Sequence, residues 1–586
     1  MAESIISPGV YSRENDISYI TPAPIKAGAA FVGPTVKGPD YQPLVVTSYS
    51  DYVRKFGETF TSASNKQYEF LTSVAVKNYF QNGGTTALVT RVTNGTYDGA
   101  LSTYISASAK ATQPFTLKTL GKGIIYNNAS GQLAALSGST SYMNSDGSLV
   151  SGSADNLRWE ISNVNNALGT FSITVRQGND NTNNKTILET FNVSLDPNSS
   201  KYIESVIGNQ YITVGTDGTT SYNYPVGEYP NASNYIRVAS VNLTTNQYVA
   251  NDGITVNLDG TGNSYSASLP TVGSGSFYNA TGTTSTSASF FSAIGTNSGE
   301  AQGIGNTNYT TALALLTNKD DYQFNIISAP GLLYNAGFTS TVNGIIALAE
   351  SRGDCIAVVD LVPTGSAVAT VTGQAASLNS SYAATYWPWL QVKSATGRNE
   401  WVPAGTVIPG VYAFTDASSA PWYAPAGLVR GGIGGVIQPE RKLAKGDRDV
   451  LYAAKVNPIA SFPGAGIAVF GQKTLQTKAS ALDRVNVRRL LIELKKFIGD
   501  QARNLVFEQN TISTRTKFLA IVNPYLESVV QRQGLYAFRV VMDDTNNTAD
   551  VVDRNQLVGQ ILIQPAKAIE YVVLDFTVAP TGATFA

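Results

Sequence analysis

The run Gly466-Ile-Ala-Val-Phe-Gly471-Gln472-Lys473-Thr474 is the nearest approach to a phosphate-binding loop in this sequence. Such a loop needs glycine and lysine adjacent, so that backbone amides and the ammonium meet one phosphate. Gln472 intervenes and the apolar residues before it read as strand, so no nucleotide site is expected. The Gly431-Gly432-Ile433-Gly434-Gly435 cluster is not followed by the helix that a dinucleotide loop requires, and it reads as a tight turn. Asp543-Asp544 with Asn546-Asn547 supplies oxygen ligands, but calcium-loop spacing and its closing glutamate are missing. A polar turn is the reading there. Arg352-Gly353-Asp354 reads as a helix-ending glycine before a buried strand. The single cysteine, Cys355, excludes an intrachain disulfide and sits in an apolar run, where it acts as a small buried hydrophobe. The absence of histidine removes Ser-His-Asp and Cys-His catalysis and histidine metal ligation together. Carboxylates remain, but Asp252, Asp259 and Glu300 lack the pairing of a glycan hydrolase. The expectation is a chain with no catalytic residues, no cofactor and no metal.

The elements that would hold any site fall into several units, since 586 residues suggest about four domains. Charged residues are 14% of the chain and the net charge is −1, so no basic excess exists to hold a nucleic acid. No apolar run approaches the ~18 residues that span a bilayer. The first residues, MAESIISPGVYSRE, lack a basic region followed by an apolar stretch, so no signal peptide is expected.

Residues 1–22 read as an N-terminal arm, with a Pro-Gly turn and a short strand that cannot bury itself. A helix is expected over 66–81, ended by Asn82-Gly83-Gly84, then a buried strand over Ala87–Val92. Between 96 and 318 Ser, Thr, Asn and Gly dominate, and alternating segments such as GTFSITVRQ and GITVNL recur. That pattern predicts an all-β, sandwich-like insertion. Strand FNIISAPG, helix VNGIIALAESRGD and strand CIAVVDLVP then restore a β-α-β order. The fold expected is therefore α+β and multidomain. Residues 23–95 and 319–440 form a discontinuous middle α/β domain, 96–318 the outward insertion, 441–565 a C-terminal α/β domain and 566–586 a C-terminal arm.

Residues 380–435 are rich in aromatics and turns and hold four of the five tryptophans, Trp387, Trp389, Trp401 and Trp422. Clustered tryptophans can bind carbohydrate; filling an irregular core or a subunit contact is the commoner use. Ser480 and Asp483 resemble a shortened capping box. Leu490, Leu491, Leu494, Phe497 and Ile498 follow at helical spacing, with Arg488, Arg489, Lys495 and Lys496 largely off that stripe. Those cations form either a solvated face or a basic docking surface.

The segments Pro8-Gly9-Val10-Tyr11, YFQNGGTTALVTRV, YAATYWPWLQV, VPAGTVIPGVYAFTD, WYAPAG, VNPIASFPGAGIAVFGQKTL, RVNVRRLLIELKK and FEQN occur in an order that resembles the contractile tail sheath proteins of bacteriophages. The resemblance leaves out 96–318. It implies stacked hexameric rings around an inner tail tube, with baseplate and tail terminator as further partners. It implies a virion tail location after assembly in the host cytoplasm, and contraction that drives the tube through the host envelope for genome ejection. It also implies terminal arms that lend strands to a small sheet in neighbouring subunits. Here those arms would present Pro8, Gly9, Val10 and Tyr11 at one end and Ile569, Tyr571, Val573 and Phe576 at the other. The C-terminal domain would lie innermost, with Arg484, Arg488 and Arg489 as contacts to tube or neighbour. The alternatives are the sheath of a phage-like bacteriocin or contractile secretion system and, more distantly, a surface adhesin or array protein suggested by the polar β region. Neither nucleic acid nor membrane is an expected partner.

Overall fold

The computed structural model describes residues 25–61, 67–103, 114–127, 144–166, 168–218, 220–243, 250, 254–258, 269–282 and 300–571. The chain begins its body with strand β1 (Ile25–Gly33), strand β2 (Leu44–Val46), helix α1 (Leu71–Gln81) and strand β3 (Ala87–Arg91). After the insertion it returns with β4 (Tyr322–Leu333), α2 (Thr339–Arg352), β5 (Ile356–Asp360), β6 (Ala383–Trp387) and α3 (Ile408–Ser418). Strands β7 (Asn457–Phe462) and β8 (Gly466–Val469) follow. All eight strands form one sheet in the order β2-β3-β1-β4-β5-β6-β7-β8. Its centre is parallel; β2 and β8 run antiparallel at the two edges.

Every residue of β3, β5 and β6 is buried. Helices cover both faces of a parallel sheet, so its strands read as continuous apolar runs. Along β1, Ala30 and Val32 join the core that contains α2, while Ala29 and Phe31 join the core that contains α1 and α3. Because β1 pairs with β4, strands from before and after the insertion join side by side in one sheet. That sheet also continues beyond residue 440, through β7 and β8.

The helix expected over 66–81 begins at Leu71. Gln67–Glu69 instead pair with Thr59–Thr61, a hairpin whose partner strand the helical spacing could not reveal. Gly353 closes α2 in the left-handed conformation, φ 70°, and donates to the carbonyl of Ala349. The neighbouring Arg352 is buried and donates to the carbonyls of Leu316 and Tyr322 and to Asp354, so this tripeptide is structural. Cys355 is fully buried, and burial pushes its thiol up to about 12.

The insertion forms a seven-stranded antiparallel sheet built from residues between Gly99 and Tyr278. The sheet bends on itself until Phe115 and Phe171, from strands well separated in it, stack at 5.6 Å. A separate hairpin, Tyr211–Asp217 with Thr220–Val226, packs beside the body, where Asn223 donates to the carbonyl of Tyr41. Buried Arg91, at the end of β3, donates to the carbonyls of Gly38 and Lys122 and so fastens the insertion to the body.

The last described unit contains α4 (Val485–Arg503), α5 (Ile512–Gln531), β9 (Leu535–Val541) and β10 (Gln560–Pro565). Leu490 and Leu494 of α4 pack with Phe518, Val522 and Leu526 of α5 and with Leu535 of β9. Val485 and Ile492, on another face of α4, join the core of the main body. The helix is thus buried on two sides. No helix among the described residues is long and apolar enough to cross a membrane.

Candidate functional site

Strands β9 and β10 pair only with each other; among the described residues neither outer edge carries a third strand. One face of this ribbon, with Phe538, Val540, Ile561 and Ile563, packs against the α4–α5 core. Tyr536 and Leu562 are 66% and 48% exposed on the other. A two-stranded ribbon is marginal alone, and open strand edges are templates for further pairing.

Beyond β10 the chain enters the arm. The amide of Ala566 donates to the carbonyl of Gly534. Ile569 and Tyr571 are 85% and 75% exposed, while Glu570 between them turns inward. Outward-inward alternation is that of an extended chain. Arg484 Nε and Nη2 donate to the two carboxylate oxygens of Glu570 at 2.6 and 2.9 Å, and Gln472 Nε2 donates to it at 3.1 Å. Burial alone would raise the Glu570 carboxyl, but the Arg484 bonds and charge outweigh it and hold it below the usual carboxylate range. The pair pins the root of the arm to the start of α4. Pro8, Gly9, Val10, Tyr11, Val573 and Phe576 lie outside the described residues.

The three arginines expected at a tube or neighbour surface are placed differently. Arg484 is half-buried and holds Glu570 and Asp483. Arg488 is buried, donates to the carbonyl and hydroxyl of Ser381 and lies 3.9 Å from the centre of the Tyr382 ring. Arg489 is 3% exposed, and its Nη2 donates to both oxygens of Asp416 at 2.6 Å. Burial opposes the Arg489 charge, but Asp416, Tyr412 and Tyr386 outweigh it and hold the guanidinium firmly charged. Arg488 and Arg489 therefore fasten α4 to the main body inside one subunit, a correction to the surface role expected for them. The type of cation carried a signal: arginine, with its planar fork, suits buried pairing better than lysine. Ser480 caps the short turn Ala481–Asp483, and α4 itself begins at Val485.

The other candidates resolve into structure. Gly466–Val469 is edge strand β8, and Lys473 is held by the carbonyl of Tyr452 and lies over that ring at 4.3 Å. Gly432 bridges to Ala468 beside the same strand. Asp543 accepts from the amide and hydroxyl of Thr545 in a turn, and no group of metal-ligating side chains occurs among the described residues. Trp387, Trp389 and Trp422 are buried and Trp401 partly so; Trp389 donates to the carbonyl of Val362 and Trp422 to that of Arg532. Asp252 and Asp259 lie outside the described residues.

The arm root can be tested directly. Charge-assisted hydrogen bonds contribute about 1.5–3 kcal/mol each. Arg484→Gln is therefore expected to raise the rate of trypsin cleavage after exposed Lys567 by about tenfold or more. Mass spectrometry of timed digests measures it; an unchanged rate would show that the pair does not restrain the arm.

Residues 302–475 match the phage tail sheath protein central domain, and residues 477–579 match the phage tail sheath C-terminal domain. The tail sheath protein of Vibrio phage KVP40 is 44% identical over 189 residues, which are 32% of this chain and 28% of that protein. The tail sheath protein of Enterobacteria phage T4 is 35% identical over 259 residues, 41% of this chain and 39% of that protein. The matched stretch thus spans less than half the length of either relative. A crystal structure of a sheath tail protein from Listeria innocua shares the fold, with TM-score 0.51 at 12% identity, covering 92% of this chain and 95% of that one.

Proposed function

The chain belongs to the phage tail sheath family, and from that premise we propose that it is the structural subunit of a contractile phage tail sheath, assembled as stacked hexameric rings around an inner tail tube. The observation that carries this reading is the β9–β10 ribbon, paired only with itself among the described residues. In the assembly each ribbon takes strands from the terminal arms of neighbouring subunits, by β-strand addition. Main-chain hydrogen bonds supply the affinity, and the exposed side chains Tyr536 and Leu562 supply contact area. The interface is heterologous, so it propagates without closing on one pair of subunits and builds a helical filament. On a signal from the baseplate the rings rotate and slide into a shorter, wider packing as rigid bodies, while the shared strands keep them linked. Arg484 and Glu570 set the direction in which the C-terminal arm leaves. Ile569, Tyr571, Val573 and Phe576 are the residues of that arm that enter the neighbour, and Pro8, Gly9, Val10 and Tyr11 those of the other. The tube, the baseplate and a tail terminator are the partners, and the virion tail is the location. The work is mechanical, with no catalytic step.

Negative-stain electron microscopy of the purified chain, beside a variant lacking 567–586, tests the reading. Tubes or stacked rings are expected from the full chain and dispersed subunits from the variant. Tubes from both would remove the C-terminal arm from the mechanism. Dispersed particles from both, even with the tube protein added as template, would overturn the sheath assembly itself.

A further inference from the structure

Between the main body and the insertion lies a cleft of about 1080 Å³, which the sheath reading does not use. Six cationic side chains line it against two carboxylates, Asp98 and Asp155. Most of that charge is already committed. Lys37 pairs with Asp155 and Lys118 with Asp98, while Lys122 pairs with Asp40, and Arg54 and Lys55 with Asp51, just behind the wall. Arg237 differs: among the described residues it forms no ion pair. Among the described residues its side chain makes two long hydrogen bonds, 3.5 and 3.3 Å, to the carbonyls of Asn209 and Val238. Its guanidinium lies 4.6 Å from the centre of the Tyr211 ring, and that ring is 43% exposed.

Tyr211 and Thr213 line the cleft and share one face of their hairpin with Tyr222 and Tyr224, because Thr213 pairs with Tyr224 and Gly215 with Tyr222. Side chains directly opposite in an antiparallel pair lie on the same face. Gly215 leaves room for a flat ring: a Cβ there would come within 2.8–3.0 Å of the Tyr222 ring. Tyr222 and Tyr224 are 45% and 41% exposed, with ring centres 5.8 Å apart. A row of aromatic faces thus continues outward from the wall that carries the unpaired arginine.

We propose that this cleft and the tyrosine face beside it bind an acidic polysaccharide, with sugar rings against Tyr211, Tyr222 and Tyr224 and a carboxylate of the sugar on Arg237. Aromatic rings and a single cation would also suit a single-stranded nucleic acid. The rest of the lining favours sugar. A nucleic acid needs successive phosphates neutralised by free cations, whereas five of the six here are paired with aspartates. Asp98, Asp155, Asn234 and Gln42 bring acceptors as well as donors to the cleft. Hydroxyl groups of a sugar both donate and accept, while phosphates only accept. The site therefore matches a hydroxyl-rich chain with sparse negative charge.

The test is calorimetric titration of the full chain with an alginate hexasaccharide, a dextran hexasaccharide and an oligothymidylate. Alginate is expected to bind with a Kd at or below ~1 mM, and dextran about tenfold more weakly. Tyr211→Ala and Arg237→Gln are each expected to weaken alginate binding about tenfold. Tyr222→Ala, at a ring 45% exposed, is expected to lose several-fold in alginate binding with an unchanged thermal transition, which separates lost binding from misfolding. No alginate heat, or alginate binding indifferent to all three substitutions, would overturn the proposal. Tighter binding of the oligothymidylate would replace it with a nucleic-acid site. None of these outcomes depends on whether the chain forms tubes.

Discussion

Asp360→Asn is expected to raise the thermal transition of the main body at pH 8 and to flatten its pH dependence between about pH 4 and 7. Asp360 ends β5 and is buried; among the described residues the amide of Gly405 donates to its Oδ1 at 2.8 Å. Burial raises its carboxyl from 3.8 to about 7, and the single backbone donor recovers little. A raised folded value means that the native state keeps a proton that the unfolded chain releases. Below pH 3.8 both states are protonated and nothing is lost. As the pH climbs from there towards 7 stability falls, and above 7 the full loss applies, on the order of 4 kcal/mol at 1.36 kcal/mol per pH unit. Asparagine imitates the protonated form at every pH. Calorimetric scans at pH 4.5 and pH 8 measure the difference. Equal transitions for variant and parent at pH 8 would show that Asp360 ionises there without strain.

Arg489→Met removes the cation that joins α4 to α3. Taking one partner from a buried ion pair costs about 3–5 kcal/mol, because the other charge is stranded. The carboxylate of Asp416 is 28% exposed, so water compensates part of it and the low end, about 3 kcal/mol, is expected. Adding Asp416→Leu to Arg489→Met should recover most of that loss, since the stranded charge goes too. The observable is the calorimetric transition temperature of the single and double variants. A single variant that melts with the parent would mean that α4 is held by its apolar contacts alone. The pair matters to the proposed mechanism because α4 is where the C-terminal unit, with its arm, is tied to the main body.

The two arginines show where reading a helix by periodicity stops. Of the legible stripe Leu490, Leu491, Leu494, Phe497 and Ile498, Leu490, Leu494 and Ile498 join the core shared with α5 and Phe497 stacks on Tyr525; Leu491 is in neither contact. The opposite side was open to two readings, solvent or a partner, and the structure gives a third. Ser381, Tyr382 and Asp416, about 70 to 110 positions earlier in the chain, arrive there through the main-body fold. Helical spacing orders the residues of one helix; it carries no information about a charge supplied from another element. The same limit applies to β6. The turn-rich, aromatic stretch after Ser380 hid a strand that lies in the parallel sheet, because burial on both faces erases the alternation that marks a strand.

By itself the sequence determined the chemistry that is absent and the elements that repeat a local rule. No histidine and one cysteine set the first, by removing histidine catalysis and an intrachain disulfide, since composition acts before folding. Apolar runs, glycine stops and polar β segments set the second, since backbone preference and burial pattern are local. Only the tertiary structure decided the strand order in which β1 meets β4 and the sheet's continuation through β7 and β8, that Arg484 holds Glu570, and that Arg237 is the one cation of the cleft that forms no ion pair among the described residues. Those are distances between residues far apart in the chain, set by how whole elements pack.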